Sequence, residues 1–264
     1  MYLEKEDVSL YYEVTGSGEP LILIHGVIVD SELYKAAAEL LGRYYTVITF
    51  DRRGNSRSTC KGERHFSMDE QIEDVRDLMD HLQIDSAYIF GASAGAVIGQ
   101  YFLIRYPERV KHLIMFEPAV LGEMAEEIPE VKQWVDEMME RIGKRKYTTA
   151  ILKFAQHINS FDSRSPRRTP EISRREMGNH EYALTQEFPG MLQYHPDRAA
   201  FESMRDKITI SAGEKSEGTV YYHAAVHIAN DLGKEPVYYP GYHNLPYDLP
   251  MEFAVNLIGT LMLL

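Results

Sequence analysis

Short apolar runs rich in branched residues alternate with helix-period runs through the first 118 residues, and this alternation constrains the fold more than any other feature. LILIH (21–25), TVITFD (46–51), AYIF (87–90) and HLIMFE (112–117) are continuous rather than alternating, as expected for strands covered on both faces. Between them lie SELYKAAAELLG (31–42), SMDEQIEDVRDLMDHL (67–82) and AGAVIGQYFLIRYP (94–107), each with apolar residues at helical spacing. Ser67 and Glu70 open the second as a capping box. VSLYYEV (8–14) alternates like a half-buried strand and ends at the turn signal TGSGEP. The pattern predicts an α/β fold, a mostly parallel doubly wound sheet with helices on both faces.

The alternation stops at residue 119. Residues 119–205 carry only helix-like segments broken by Pro129, Pro166, Pro170, Pro189 and Pro196, after which KITISAG (207–213), a helix near 218–232, PVYYPG (236–241) and a C-terminal helix resume the pattern. Charge marks the same division. The interval holds 13 basic and 14 acidic residues, whereas the rest holds 15 and 26 of a chain whose net charge is −12. The expected organisation is a core in two parts, 1–118 and 206–264, with a helical insertion at 119–205.

An acidic balance of this size argues against nucleic acid, because neutralising phosphates needs excess Lys and Arg. The clusters RIGKRK (141–146) and RSPRR (164–168) are interleaved with acids and read as solvated helix faces. No window approaches the ~18 uninterrupted apolar residues of a membrane span. The segment MYLEKEDVSL is too charged for a signal peptide, and Cys60 is the only cysteine, so no internal disulfide forms. A cytoplasmic protein with neither a nucleic-acid nor a membrane partner is the expectation.

Between strand and helix stands Gly91-Ala92-Ser93-Ala94-Gly95. G-x-S-x-G in this context is a nucleophile elbow, in which a strained turn lifts the serine hydroxyl above the sheet edge. Gly91 and Gly95 are required where side chains would strike neighbouring backbone. The helix beginning beside Ser93 aims its positive end at a developing oxyanion. His25-Gly26-Val27 ends another strand, and Val27 N–H with Ala94 N–H would form a two-donor oxyanion hole. His25, beneath that hole, reads as structural. His223 and His227, four apart on a helix, have metal-like spacing without further ligands and read as surface.

HG (25–26), DRRGNSRS (51–58), GASAG (91–95), RYPERV (105–110) and YPGYHNLP (239–246), in this order, resemble the α/β-hydrolase fold superfamily over the whole chain outside the insertion. The resemblance implies that 119–205 is a lid following the superfamily's sixth strand. It also implies that the general base lies in the loop after the last strand, where His243 stands. The acid commonly follows the seventh strand as aspartate, but the chain has Ser216 there. Some members, including many haloalkane dehalogenases and a fungal group of lactone hydrolases, carry the acid after the sixth strand, and Glu117 ends that strand. Glu214 and Glu217 flank the vacated position as rivals.

The resemblance therefore implies a Ser93–His243–Glu117 triad that cleaves an ester or lactone of a small, largely apolar substrate, with no metal and no organic cofactor. A proline-iminopeptidase-like peptidase, a cofactor-free perhydrolase and a non-catalytic ligand receptor share the scaffold and stay open. Trp134, Tyr147, Phe154, Phe161, Tyr182, Phe188, Met191 and Tyr194 of the insertion either line an apolar pocket or pack the insertion onto the core. His157, His180 and His195 lie in the same interval.

Overall fold

The structure is a computed structural model that describes residues 1–158, 164, 166 and 168–264, with only the backbone of His157. Among these residues there are nine strands: β1 (Tyr2–Glu4), β2 (Val8–Thr15), β3 (Glu19–Ile24), β4 (Tyr45–Phe50), β5 (Thr59–Cys60), β6 (Ala87–Ala92), β7 (Val110–Phe116), β8 (Ile208–Gly213) and β9 (Val237–Tyr239). They form one sheet in the order β1-β2-β4-β3-β6-β7-β8-β9, with β5 paired to β2. Pairings from β4 to β9 are parallel, and β2 meets β1, β4 and β5 antiparallel. The strand counted as sixth from the resemblance is β7 here, because the two-residue β5 precedes it.

The continuous apolar runs bury both faces of the sheet. Leu21 and Leu23 of β3 point to one side, with Phe90, Ile114 and Phe116, under α1 (Lys35–Leu41) and the C-terminal helix Pro250–Met262. Ile22 and Ile24 point to the other, with Ile89, Leu113 and Met115, under α2 (Met68–His81), α3 (Ala94–Arg105) and the helix Val220–Asp231. Ser67 caps α2 by accepting from Glu70 N–H at 3.4 Å, while the Glu70 carboxylate turns to Arg53 and His65 at 3.6 and 3.1 Å. Between β7 and β8 the described residues form helices alone, including Pro129–Gly143, Tyr147–His157, Pro170–Tyr182 and a π-helical turn at Ala183–Glu187. No described helix is long and apolar enough to cross a membrane.

The sheet order reverses direction at β3, which has β4 on one side and β6 on the other. Ligand sites of open parallel sheets form outside the carboxyl ends of strands at such a switch point. His25-Gly26-Val27 leaves β3 and Ser93 leaves β6, so both segments open into this crevice.

Burial biases two histidines, His25 and His112, toward the neutral form. Burial, reinforced by the Arg52 charge, pushes the His25 imidazole down to about 4. Burial with nearby Lys234 and Lys207 pushes His112 down to about 4 as well. The unfolded chain takes up protons at these side chains below its ordinary value of about 6.5, whereas the folded chain resists until about 4. Their contribution to stability is therefore present above pH ~6.5 and is lost as pH falls toward ~4, about 2 kcal/mol by pH 5 for the fully buried His25. Urea unfolding at pH 7 and pH 5 is expected to show this decline. His112→Gln, which retains a polar group for Thr209 Oγ1, now 2.8 Å from His112 Nε2, should flatten it.

Candidate active site

Ser93 sits between β6 and α3 at φ 55°, ψ −122°, a conformation that a non-glycine residue holds only under constraint. Its own N–H donates to Phe116 O at 3.0 Å, and its carbonyl accepts from Ala96 and Ala119 N–H. The Ser93 hydroxyl makes no capping bond to α3, so it is not spent as an N-cap. A Cβ on Gly91 would lie 2.4 Å from Gly95 O, and one on Gly95 would lie 2.1 Å from Ile24 O. Both glycines are needed for the helix to start this close to the sheet.

The loop after β3 packs directly on the serine. A Cβ on Gly26 would stand 3.0 Å from Ser93 Cβ and 3.4 Å from its Oγ. Ile28, two residues on, is held at φ 63°, an outlier for a branched side chain. The loop is fixed from below by Arg52, whose Nε donates to His25 O and whose Nη2 donates to Gly26 O, both at 2.9 Å. Arg52 N–H donates to His25 Nε2 at 2.9 Å, which places the imidazole proton on Nδ1, 2.7 Å from Gly26 O. His25 is fully buried, and among the described residues its hydrogen bonds are these loop contacts, as a structural residue's would be.

Glu117 follows β7 at φ 44° with no solvent exposure. Its N–H donates to Ser211 O at 3.0 Å, and its Oε1 accepts from Gly213 N–H at 2.8 Å. Its Oε2 lies 2.6 Å from His243 Nδ1. The Tyr221 ring packs on the imidazole, with centroids 4.6 Å apart. Ser216, at the position where the superfamily commonly has aspartate, is buried, and its hydroxyl has no hydrogen-bond partner among the described residues. Glu214 and Glu217 beside it are exposed. The structure thus brings Glu117 to His243 and leaves both rivals in solvent.

A cavity of about 180 Å³ is lined by Ser93, His243, Gly26, Val27 and apolar side chains including Leu33, Phe154 and Ile158. Ala94 opens α3, so its N–H has no acceptor inside the helix. Arg168, Glu176 and His180 form a polar stretch of wall, with Arg168 Nε 2.7 Å from Glu176 Oε2. Burial raises the Glu176 carboxyl and lowers the His180 imidazole, favouring the neutral form of each.

Of the aromatic and Met side chains expected to serve either pocket or packing, Phe154 reaches this cavity. Trp134 instead packs on Phe154, Phe188 and Tyr221, and Tyr194 packs on Phe66 and Tyr101. Tyr182 donates to His65 O and lies under Arg64, while Met191 is buried and Tyr147 half-buried. Phe161 and the His157 side chain lie outside the described residues. His195 and His223 are exposed, and His227 pairs with Glu127 at 3.2 Å. Cys60 is a free thiol, raised by burial, and no cluster of metal-ligating side chains occurs among the described residues. Arg52, Glu187 and Tyr221 were not singled out by sequence. Arg52 stands within DRRGNSRS, but nothing local marks the other two.

With fold and site in view, the chain belongs to the alpha/beta hydrolase fold family, whose pattern matches residues 19–249. A hydrolase of otherwise uncharacterised activity from Bacillus subtilis (strain 168), YraK, is 30% identical over 247 residues, covering 91% of this chain and 88% of its own. A carboxylesterase structure from the thaumarchaeon Nitrososphaera gargenis superposes with a TM-score of 0.75 at 19% identity, covering 100% of this chain and 98% of the other. A Pseudomonas aeruginosa structure provisionally assigned as an epoxide hydrolase gives a TM-score of 0.76 at 18% identity, covering 99% and 94%. At those identities the two structures bear on the fold. The protein is a hydrolase of the α/β fold.

The elbow generates a stability prediction. Gly95→Ala forces a methyl group against fixed backbone, and its expected cost exceeds about 3 kcal/mol. Gly259→Ala, in the C-terminal helix with nothing near the added methyl, should be neutral or stabilising. Thermal unfolding of the two variants checks this: equal melting temperatures would contradict the reading of the elbow.

Proposed function

We propose that the protein is a serine hydrolase that cleaves carboxylic esters or lactones of small, largely apolar substrates through an acyl-Ser93 intermediate. The observation that carries this reading is the buried 2.6 Å contact of Glu117 Oε2 with His243 Nδ1, in a histidine that shares one cavity with Ser93. In the neutral imidazole, Nδ1–H donating to Glu117 leaves His243 Nε2 as the acceptor a general base needs. Ser93 Oγ attacks the substrate carbonyl, and His243 Nε2 takes its proton. The tetrahedral oxyanion is received by Val27 and Ala94 N–H. Collapse breaks the ester bond, and the leaving alkoxide takes the proton from His243. Water then attacks the acyl carbon by the same route, releasing the acid and restoring the Ser93 hydroxyl.

The helical interval 119–205 acts as the lid in this reading, since Phe154 and Ile158 from it roof a cavity of about 180 Å³. That volume favours a short acyl chain. Serine at 93 separates this chain from epoxide hydrolases and haloalkane dehalogenases, whose nucleophile in this superfamily is aspartate. The peptidase alternative needs an unengaged acid for a substrate amine, and among the described residues lining this cavity the acid, Glu176, is already paired with Arg168. A cytoplasmic setting accords with the lone cysteine.

Purified protein is expected to turn over p-nitrophenyl acetate, p-nitrophenyl butyrate and simple lactones continuously, and Ser93→Ala should reduce this to background. The kcat/KM for the butyrate should exceed that for the octanoate about tenfold, because the long chain overfills the cavity. Acid-quenched mass spectrometry should find the acyl group on the peptide containing Ser93. One stoichiometric burst without sustained turnover would point to a receptor on the same fold. Turnover that survives Ser93→Ala would refute the proposal.

A further inference from the structure

Glu187 is the last residue of the π-helical turn in the helical interval, and it is fully buried. One of its oxygens lies 2.6 Å from Arg52 Nη1, and the same oxygen accepts from Asn55 Nδ2 at 3.2 Å. Its other oxygen has no hydrogen-bond partner among the described residues. Burying a carboxylate with half its acceptor capacity unused is costly unless the pair it makes is needed elsewhere. π-helical turns themselves are infrequent and gather at functional positions.

Arg52 connects this pair to the loop that ends β3. Its Nη2 donates to Gly26 O, and its Nε donates to His25 O. In a trans peptide the C=O and the following N–H point in opposite directions, and the chain has no cis bonds among its described residues. Holding Gly26 O toward the buried guanidinium therefore turns Val27 N–H the opposite way. Gly26 packs against Ser93, whose Oγ would lie 3.4 Å from a Cβ at that glycine, and Val27 lines the same cavity as Ser93. Donation to the carbonyl also polarises the amide and strengthens its N–H as a donor. The next residue, Ile28, sits at φ 63°, so the loop holds a strained backbone that something must restrain.

We infer that the buried Arg52–Glu187 pair is a positioning device for the oxyanion donor: Glu187 fixes Arg52, and Arg52 aims the Gly26–Val27 peptide at the reacting carbonyl. Because Glu187 belongs to the helical interval, the donor is aimed only when that interval is seated on the core. The inference rests on the serine-hydrolase reading above and adds a residue that touches neither substrate nor triad. Its effect falls on the transition state, since the oxyanion exists there and not in the bound ester.

The test uses the whole protein with p-nitrophenyl butyrate as substrate and n-butylboronic acid as a tetrahedral-anion mimic bonded to Ser93. Glu187→Gln keeps the shape and removes the charge. It is expected to lower kcat about tenfold and weaken boronate inhibition by a similar factor, with KM within about twofold of wild type. Asn55→Ala removes the second contact to Glu187 while leaving both charges, and a loss of about threefold in the same two quantities is expected. A role confined to stability would lower the melting temperature and leave kcat and boronate affinity unchanged in the folded fraction.

The inference is overturned by folded Glu187→Gln with wild-type kcat and boronate affinity, or with its loss confined to KM. Should Glu187→Gln fail to fold, wild-type values in Asn55→Ala overturn it equally. Absence of Ser93-dependent turnover in the wild-type protein would instead sink the hydrolase reading and this inference with it. Wild-type turnover with unimpaired variants sinks the coupling alone.

Discussion

A carboxylate with no solvent exposure, at the end of a central strand and bonded to one histidine, is the interaction on which the rest of the site depends. An isolated buried charge is among the most expensive things a fold can contain. Glu117 is kept there by two directed contacts, Gly213 N–H on one oxygen and His243 Nδ1 on the other. Gly213 ends β8, the strand after which the superfamily commonly places its aspartate. In this chain that strand end supplies a backbone donor to the acid of its neighbour. Ser216, at the position where that aspartate commonly stands, has no hydrogen-bond partner for its hydroxyl among the described residues. This is the arrangement the proposed triad requires, with the acid on the neighbouring strand and a serine at the position where the superfamily commonly has aspartate.

The sheet makes this relocation cheap in geometry. β7 and β8 are adjacent and parallel, so their carboxyl ends open on the same side, next to the loop that follows β9. The switch point at β3 and β6 brings the Gly26 loop against Ser93 on that side too. Backbone strain collects here: Ile28, Ser93 and Glu117 all hold positive φ. Each is clamped, Ser93 by Phe116 O, Glu117 by Ser211 O and the Gly26 loop by Arg52. Such strain persists only where the surroundings over-determine it.

Much of this was legible in the sequence, and the pattern of what was legible has a physical basis. The strands of the central sheet announce themselves because burial on both faces demands unbroken apolar runs. The elbow is local, five residues whose glycines answer contacts below 2.5 Å. Glu117 was reached through the resemblance, as the carboxylate that ends such a run. What escaped is non-local or too short. β5 is two residues long, and no period exists over two residues. The Arg52–Glu187 pair joins segments more than 130 positions apart, and Glu187 looks like any helical glutamate. The division of the insertion's aromatic residues between cavity and packing depends on how its helices seat, which periodicity does not encode. Phe154 alone of those described faces the cavity.

The relocated acid is tested most directly by the single-turnover rate of Ser93 acylation in three carboxamide variants, at positions 117, 214 and 217. With geometry kept and charge removed, Glu117→Gln should slow acylation about 10³- to 10⁴-fold, as expected when a triad histidine loses its anionic partner. Glu214→Gln and Glu217→Gln, altered in solvent, should stay within about twofold of wild type. Near-normal acylation in Glu117→Gln, with collapse in either of the others, would contradict the account.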